Sequence, residues 1–266
     1  MKRLTWVTDI HLNFLSRARV DAFCDRILQA QPDAVLVGGD IAEADDVEAY
    51  LRLLALRLQR PVYFVLGNHD FYHGSVRQVR MTASALTRES AYLRYLPDCG
   101  VVGLTETACL IGHDGWGDGR IGDYAGSRVM LNDYFLIREL AGLDRAARLR
   151  QLHALGDEAA AYLQSVLPEA LAKFSEVWML LHVPPFKEAC WHEGKISDDE
   201  WLPHFTCRAV GEVLRDAMQQ HPDRQMTVLC GHTHGAGEAR ILPNLLVKTG
   251  GAEYGAPALQ DELIVQ

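Results

Sequence analysis

PVYFVLGNHD, residues 61–70, is an apolar run that ends directly in three polar side chains, Asn68, His69 and Asp70. A short apolar run bounded by Pro and Gly is typical of a buried strand. Gly and Asn tolerate the positive φ of a strand-to-loop corner, and Asp often hydrogen-bonds its own backbone there, so the three residues also suit a simple turn. The rest of the chain has to decide between a turn and a functional site.

The pattern of this run is repeated along the chain. Short apolar runs alternate with stretches of helical periodicity through the first half, which predicts βαβ units and a parallel sheet buried on both faces. The predicted strands are RLTWVT, AVLVGG, PVYFVL, a strand pair turning around Glu106, EVWMLLHVPPF, QMTVLCGHTHG, EARIL and NLLVKTGG. The predicted helices cover about residues 17–30, 43–59, 75–95, 143–172 and 208–220.

Length and composition favour one large domain spanning residues 1–266. A chain of this length that is 48% hydrophobic can bury a substantial core. The 26 basic and 35 acidic residues give a net charge of -9. This balance argues against a broad electrostatic grip on nucleic acid or on an anionic membrane.

The amino-terminal segment MKRLTWVTDIHLNF reaches Asp9 after a short apolar stretch and lacks the features of a signal peptide. No run approaches the length of a membrane-spanning helix, so we expect a cytoplasmic protein. The six cysteines are scattered without a C-x-x-C pair. They are predicted to be reduced, mostly buried thiols and not disulfides or zinc ligands.

Five of the apolar runs end in side chains that can bind metal ions. In chain order these are Asp9 and His11, Asp40, Asn68, His182, and His232 with His234. Ligands of open α/β sheets bind beyond the carboxyl ends of the strands, so these groups can converge although they are far apart in sequence. Asp9 and His11 are two residues apart, as are His232 and His234, and on an extended strand this spacing points both side chains the same way.

Each of these residues also has an ordinary structural explanation. His182 would suit a hydrogen-bonded core histidine, Asp40 the N-cap of a following helix, and Asn68 a turn. An unliganded cluster of two Asp, one Asn and several His at one sheet edge would, however, carry like-charge repulsion and desolvation costs that divalent cations remove. The set as a whole therefore predicts a metal site.

The ordered blocks DIH, GD, GNHD, H and GHTH resemble those of the calcineurin-like metallophosphoesterases, from Asp9 to His234 and without a substitution at a ligand position. The resemblance implies an α/β fold, a four-layer αββα sandwich of two sheets flanked by helices, with a dinuclear metal centre at the strand ends. Oxygen and imidazole ligands without thiolate suit Mn, Fe or Zn, among which the sequence does not choose. The resemblance assigns Asp9, His11 and His234 to one metal, Asn68, His182 and His232 to the other, and Asp40 to both.

The same resemblance leaves His69 outside the metal shells, facing the substrate. There it would protonate the leaving alkoxide or stabilise charge on it, which is a form of general acid catalysis. Asp70 would hold His69 in a useful orientation and protonation state. Two metal ions can lower the pKa of a bridging water, bind phosphate oxygens and stabilise an in-line displacement, so the implied nucleophile is a metal-bridging hydroxide.

The implied activity is hydrolysis of small-molecule phosphate esters. Phosphodiesters are slightly ahead of monoesters because HVPPF and GNHDFY are similar to diesterase branches of the family. A phosphomonoesterase or nucleotide pyrophosphatase of the same fold is the alternative, and a nuclease is disfavoured because its channel needs a basic face. The alternative from another class is a non-catalytic metal-binding interaction scaffold, which should have lost a ligand or His69. The natural substrate, the native metals and the oligomeric state stay open.

A glycine-rich loop, residues 112–128, offers candidate substrate contacts in Trp116, Arg120 and Arg128, and His73 borders the predicted site. An aromatic ring beside a guanidinium suits a nucleobase and a phosphate, through stacking and bidentate hydrogen bonds. Alternatively, the arginines form surface ion pairs and Trp116 packs the loop onto the core. The glycines of the loop also permit a lid.

Overall fold

Two β-sheets pack face to face with helices on the outer face of each, and the structure, a computed structural model, describes all 266 residues. The strands are β1 Lys2–Val7, β2 Ala34–Gly38, β3 Val62–Val65, β4 Leu93–Tyr95, β5 Val102–Gly103, β6 Ala108–His113, β7 Glu176–Leu181, β8 Trp191–His192, β9 Lys195–Ile196, β10 Gln225–Cys230, β11 Gly237–Leu242, β12 Leu245–Thr249 and β13 Asp261–Val265. The α-helices are α1 Arg17–Gln29, α2 Val47–Leu58, α3 Val76–Glu89, α4 Leu96–Cys99, α5 Asp133–Leu136, α6 Arg145–Lys173, α7 Leu202–Phe205 and α8 Arg208–Gln220.

Most strands of both sheets are parallel, as the alternation of apolar runs and helices predicts. The first sheet has the order β13-β1-β2-β3-β4, in which only β13 is antiparallel to its neighbour. The second sheet has the order β11-β12-β10-β7-β6-β5, with antiparallel strands only at its two edges. The parallel strands β1, β2, β3, β7 and β10 are the ones that precede the predicted metal ligands.

Apolar side chains fill the space between the sheets. Trp6 and Leu36 from the first sheet share one buried cluster with Trp178 and Leu229 from the second. Two further clusters lie outside the sheets, one formed with α1, α2 and α3 and the other with α6 and α8. The resulting helix–sheet–sheet–helix layering confirms the predicted αββα sandwich.

The predicted helix at 75–95 is wrong at its carboxyl end. Helix α3 ends at Glu89, and the hydroxyl of Ser90 then accepts the backbone N–H of Leu93 at 3.2 Å. This contact turns the chain into β4, which pairs with β3. The spacing of Leu86 and Leu93 suits a continued helix as well, so periodicity alone did not reveal the turn.

Strand β13 and the β8–β9 hairpin were not predicted. Strand β13 pairs along β1, with Lys2 opposite Val265, and so extends the edge of the first sheet. All six cysteines are free thiols and five of them are buried, as predicted. None of the helices combines the length and the apolar composition that crossing a bilayer requires.

Candidate metal centre

The parallel strands of both sheets bring the predicted ligands to one edge of the sandwich. All seven side chains lie within four residues after a strand end and take part in one contact network. Their strand of origin is β1 for Asp9 and His11, β2 for Asp40, β3 for Asn68, β7 for His182, and β10 for His232 and His234.

The backbone, and not strand alternation, aims most of these side chains. Strand β1 ends at Val7, and Asp9 and His11 have φ values of 50° and 39°. His232 and His234 likewise have φ values of 72° and 58°, so the prediction that each pair projects from an extended strand is wrong. A non-glycine residue in this left-handed region costs roughly 1–2 kcal/mol, although Asp and His tolerate it better than most.

Two glycines make room for the carboxylates. A Cβ on Gly231 would lie 2.0 Å from Oδ2 of Asp9, and a Cβ on Gly67 would lie 2.1 Å from Oδ1 of Asp40. Both distances are far below van der Waals contact. The glycines in the GHTH and GNHD blocks are therefore required by the approach of these carboxylates.

One group of ligand atoms comes from Asp9, His11, Asp40 and His234, and these atoms all lie within 4.8 Å of one another. Nε2 of His11 is 3.3 Å from Nε2 of His234, which is 3.5 Å from Oδ1 of Asp9. Burial by itself raises the pKa of the Asp9 carboxyl, but His234 and the neighbouring histidines outweigh it and hold that pKa below its ordinary value. Asp9 is thus an anion facing two imidazoles.

The second group consists of Asn68, His182 and His232. Nδ1 of His182 is 2.8 Å from the carbonyl of Gly38, which can only accept, so the ring proton lies on Nδ1 and Nε2 carries a lone pair. Nε2 of His232 faces the carbonyl of His204 at 3.2 Å, and a neutral ring that donates to this carbonyl carries its lone pair on Nδ1.

Nε2 of His182 and Nδ1 of His232 face the same oxygen atom of Asn68. Oδ1 of Asn68 lies 3.1 Å from Nε2 of His182 and 2.9 Å from Nδ1 of His232. Burial lowers the pKa of His232 to about 3, so its imidazole holds no additional proton at neutral pH. One amide oxygen and two imidazole nitrogens that converge in this way fit a bound cation.

A hydrogen-bond network fixes which end of the Asn68 amide faces the histidines. Nδ2 of Asn68 donates to Oδ1 of Asp133 at 2.9 Å, and the hydroxyl of Tyr72 donates to the same oxygen at 2.8 Å. Asp133 is 3% exposed, and it lies in α5, outside every predicted motif. Nothing in its local sequence, LNDYF, distinguished it from an ordinary helix-start residue.

Asp40 lies between the two groups. Its Oδ1 is 3.4 Å from Nε2 of His182, and its Oδ2 is 3.7 Å from Nε2 of His11. Burial, followed by the negative charges of Asp9 and Asp70, raises the pKa of Asp40 well above its ordinary value. A carboxyl held between two imidazole groups in this way has the placement of a bridging ligand, and bound cations would relieve the crowding of negative charge.

His69 lies beside these groups and not within them. Its ring stacks on Tyr72 at 4.2 Å between centroids, and its Nε2 is 3.9 Å from Oδ2 of Asp40. Burial and then the neighbouring His11 lower the pKa of His69 to about 2, so its imidazole is neutral at pH 7. A neutral imidazole still offers one N–H donor to a bound phosphate ester.

The expected contact between Asp70 and His69 is not present, which corrects the role predicted for this carboxylate. Oδ1 of Asp70 accepts the backbone N–H groups of Ile41 and Ala42 at 2.8 and 2.9 Å, and Oδ2 accepts that of Gly67 at 2.8 Å. Asp70 therefore ties together the loops that carry Asp40 and Asn68, because buried amides demand acceptors.

The four candidate substrate residues have other contacts in the structure. Trp116 is 4% exposed and packs on Phe71, as the packing alternative predicts. Arg120 pairs with the buried Asp118 and with Asp157, Arg128 pairs with Glu200, and His73 is 3.7 Å from Glu43.

Buried carboxylates hold the 112–128 loop against the core. Oδ1 of Asp114 accepts the backbone N–H of Leu66 at 2.8 Å, and its Oδ2 accepts from Arg80 and Tyr95. Further along, Oδ2 of Asp118 accepts the backbone N–H of Ala209 at 2.9 Å. These contacts anchor the loop to the first sheet and to helices α3 and α8, which is the opposite of what a lid needs.

Two aromatic residues at the mouth of the site were missed by the sequence analysis. Phe14 follows His11 by one turn, and Tyr254 lies in the segment between β12 and β13. The ring of Tyr254 is 4.6 Å from that of His11 and 5.0 Å from that of His234. No periodicity or motif marks Tyr254, since only the return of the chain end brings it there.

Sequence comparisons find proteins that are similar to this chain. A sequence model described as calcineurin-like phosphoesterase matches residues 2–236. An uncharacterized metallophosphoesterase of Helicobacter pylori is 32% identical over 76 residues, which span 27% of this chain and 20% of that protein.

Solved structures share the fold at low sequence identity. Phosphopantetheinyl hydrolase (PptH) from Mycobacterium tuberculosis has a TM-score of 0.62 at 16% identity, over 93% of this chain and 89% of that one. A dimetal phosphatase from Danio rerio has a TM-score of 0.56 at 16% identity, over 94% and 87% of the two chains. At these identities the likeness concerns the fold alone.

Proposed function

The chain belongs to the calcineurin-like phosphoesterase family, and from this membership we propose that it hydrolyses phosphodiesters at a centre of two divalent metal ions. The observation that carries the proposal is the convergence of acceptors around Asn68. Its carbonyl oxygen lies 2.9 and 3.1 Å from nitrogens of two imidazoles, and each ring has a backbone carbonyl to which its other nitrogen can donate. When both rings donate to the backbone, the oxygen and the two nitrogens are all acceptors, and a cation makes that arrangement favourable.

The proposal divides the ligands into two sets that share one carboxylate. Asp9, His11 and His234 would hold one ion, Asn68, His182 and His232 the other, and Asp40 both. Two such ions supply Lewis acidity toward the phosphate oxygens and an activated water. Mixed oxygen and imidazole donors suit Mn, Fe or Zn.

The proposed role of His69 is to donate an N–H hydrogen bond to the ester oxygen that becomes the leaving group. Its ring is held in place by the stack on Tyr72, and a neutral imidazole stabilises developing charge without first having to bind a proton. Asp70 contributes indirectly, by fixing the loops on either side of His69.

The charges around the site favour a diester over a monoester. No lysine or arginine forms an ion pair with Asp9 or Asp40, and two cations of the surrounding loops are paired elsewhere, Arg120 with Asp118 and Lys187 with Asp199. A monoester or pyrophosphate brings a second negative charge that such cations would normally balance. A diester, with one negative charge, has less need of them.

The test is turnover by protein stripped of metal and reloaded separately with Mn, Fe or Zn. Paired aryl phosphodiester and phosphomonoester substrates measure the preference, and metal content is determined for every sample. We expect metal-dependent hydrolysis with a higher kcat/KM for the diester, abolished in Asp40→Asn. A protein that holds two ions and hydrolyses neither ester would instead favour the scaffold function.

A further inference from the structure

Phe14 and Tyr254 form an exposed aromatic pair at the mouth of the metal centre. Their ring centroids are 5.3 Å apart with an interplanar angle of 77°, an edge-to-face arrangement. Phe14 is 52% exposed and Tyr254 51%, and neither belongs to the apolar clusters that form the core. Core packing therefore does not account for these two rings, and about half of the surface of each residue is exposed to solvent.

The pair lies where the organic part of a bound ester would project. Tyr254 is 4.6 Å from the ring of His11 and 6.0 Å from that of His69, and Phe14 is 6.1 Å from His11. The hydroxyl of Tyr254 has one polar neighbour, Nε2 of His69, at 3.5 Å. A phosphate bound beside His11 and His69 would therefore have these two rings within reach of its substituents.

The segment that carries Tyr254 is held in place from the first helix. Arg19 donates to the carbonyl of Gly255, and Arg26 donates to that of Pro257 at 2.6 Å. Both guanidinium groups are thereby engaged by backbone carbonyls. The aromatic pair is thus placed by its surroundings and has no free cation beside it to attract a second anionic group.

We propose that Phe14 and Tyr254 form a subsite for an uncharged planar ring carried by the substrate phosphate, so that the substrates are aryl or nucleoside esters. This inference rests on the proposed function. Two perpendicular rings present one face and one edge to a third ring, which gains stacking that a saturated ring of similar size does not. The tyrosine hydroxyl, protonated at neutral pH, adds a donor for a ring heteroatom or an ester oxygen.

The test compares the binding of phosphonates, so it does not depend on turnover. Calorimetry on protein loaded with Zn or Mn measures the affinities of the monomethyl esters of benzylphosphonate and cyclohexylmethylphosphonate, which carry the single negative charge of a diester and differ in aromaticity and little in size. We expect roughly three- to tenfold tighter binding of the benzyl compound, in line with the usual strength of aromatic pairs. A second arm compares the methyl esters of the phosphonate analogues of adenosine monophosphate and ribose phosphate, which separates a nucleobase from a simple aryl group.

Variants test whether the preference for the benzyl compound comes from Phe14 and Tyr254. Phe14→Leu and Tyr254→Leu are expected to bring the benzyl-to-cyclohexylmethyl ratio close to one, whereas Tyr254→Phe keeps the ring and should keep the ratio. Tyr92→Leu removes another exposed tyrosine, 36% accessible and remote from the ligands, and should not change it. Equal affinities in the unaltered protein, a ratio that survives both leucine variants, or no phosphonate binding by metal-loaded protein would overturn the subsite. Phosphonate binding without ester hydrolysis would instead count against the proposed function.

Discussion

The amide nitrogen of Asn68 donates to Asp133 at 2.9 Å, and this contact turns the carbonyl oxygen of Asn68 toward His182 and His232. If the amide flipped, its carbonyl oxygen would face the carboxylate and its NH₂ group would occupy the place of a cation. Asp133 is therefore a positioning residue for the second metal set. The contact joins α5 to the end of β3 across 65 positions of sequence.

Replacing Asp133 should weaken one metal site and spare the other. Asp133→Leu removes the acceptor while keeping a similar shape, and we expect the affinity of the Asn68 site to fall by about 10–100-fold, as for other residues that orient metal ligands. Metal titration of stripped protein, with stoichiometry by mass spectrometry, measures this. Tyr72→Phe is the comparison variant, because it removes the other donor to Asp133 and the 3.3 Å contact between the Tyr72 hydroxyl and the Asn68 amide, but keeps the shorter bond from Asn68 to Asp133. Equal loss at both sites would show general unfolding instead.

Asp40→Asn should stabilise the metal-free protein by about 1–2 kcal/mol, as is common when a functional site is relieved of strain. Burial and the charges of Asp9 and Asp70 raise the pKa of Asp40, so the folded state holds its proton to higher pH than the unfolded state. Folded protein therefore binds more protons in that window, and its stability falls as pH rises through it. Urea titrations should show the advantage of the variant growing with pH above about 4. A difference in unfolding free energy between the two proteins that stays constant across pH would contradict the raised pKa of Asp40.

His69→Ala should lower kcat by about 10²–10⁴-fold for esters with poor leaving groups, and less for nitrophenyl esters that leave without assistance. Metal content should not change, since His69 is not among the proposed ligands. His153→Ala, which alters a histidine in helix α6, serves as the control and should match the unaltered protein. A loss of metal in His69→Ala, or an equal loss of kcat for all leaving groups, would reject the proposed donor role.

Asp70→Asn should act on stability. The two carboxylate oxygens of Asp70 together accept three buried backbone N–H groups. The substitution replaces one of these oxygens with an NH₂ group, which cannot accept. We expect a loss of about 2–3 kcal/mol in the free energy of unfolding, and weaker metal binding because the loops of Asp40 and Asn68 loosen. Glu139→Gln is the control, since Glu139 accepts comparable backbone and hydroxyl contacts at a more exposed position. A stable variant with altered His69 chemistry would restore the original assignment.

His113 should make the protein less stable in mild acid. Burial lowers its pKa to about 4 from 6.5, so between these values the unfolded state binds the proton and the folded state does not. Stability is then full above pH 6.5 and falls as pH drops toward 4, by about 3 kcal/mol from this group. His113→Asn keeps an acceptor for the N–H of Gly115 and cannot titrate. The pH dependence of unfolding should be shallower in the variant, and parallel curves would contradict the prediction.

The buried parallel strands and the clustering of metal-competent residues were predictable because both follow from local patterns, whereas the four-layer sandwich was implied by the family resemblance. Buried parallel strands must be continuous apolar runs, and the residues after them must lie at one edge, so Asp40, Asn68 and His182 were placed together without knowledge of the contacts. Glycines before three of the polar blocks marked the same places. The end of α3 was misplaced because a single hydroxyl contact, from Ser90, ended a pattern that periodicity would have continued.

By itself, the sequence determined which residues can bind metal and which strands they follow, because side-chain chemistry and apolar periodicity are local properties. Only the tertiary structure decided how those residues are aimed, since the left-handed backbone at Asp9 and the outer contact of Asn68 depend on neighbours far away in the chain. It also decided that Asp70 serves the loops and that Tyr254 stands over the site. These are contacts between distant segments, and their partners are selected by packing, which no short stretch of sequence contains.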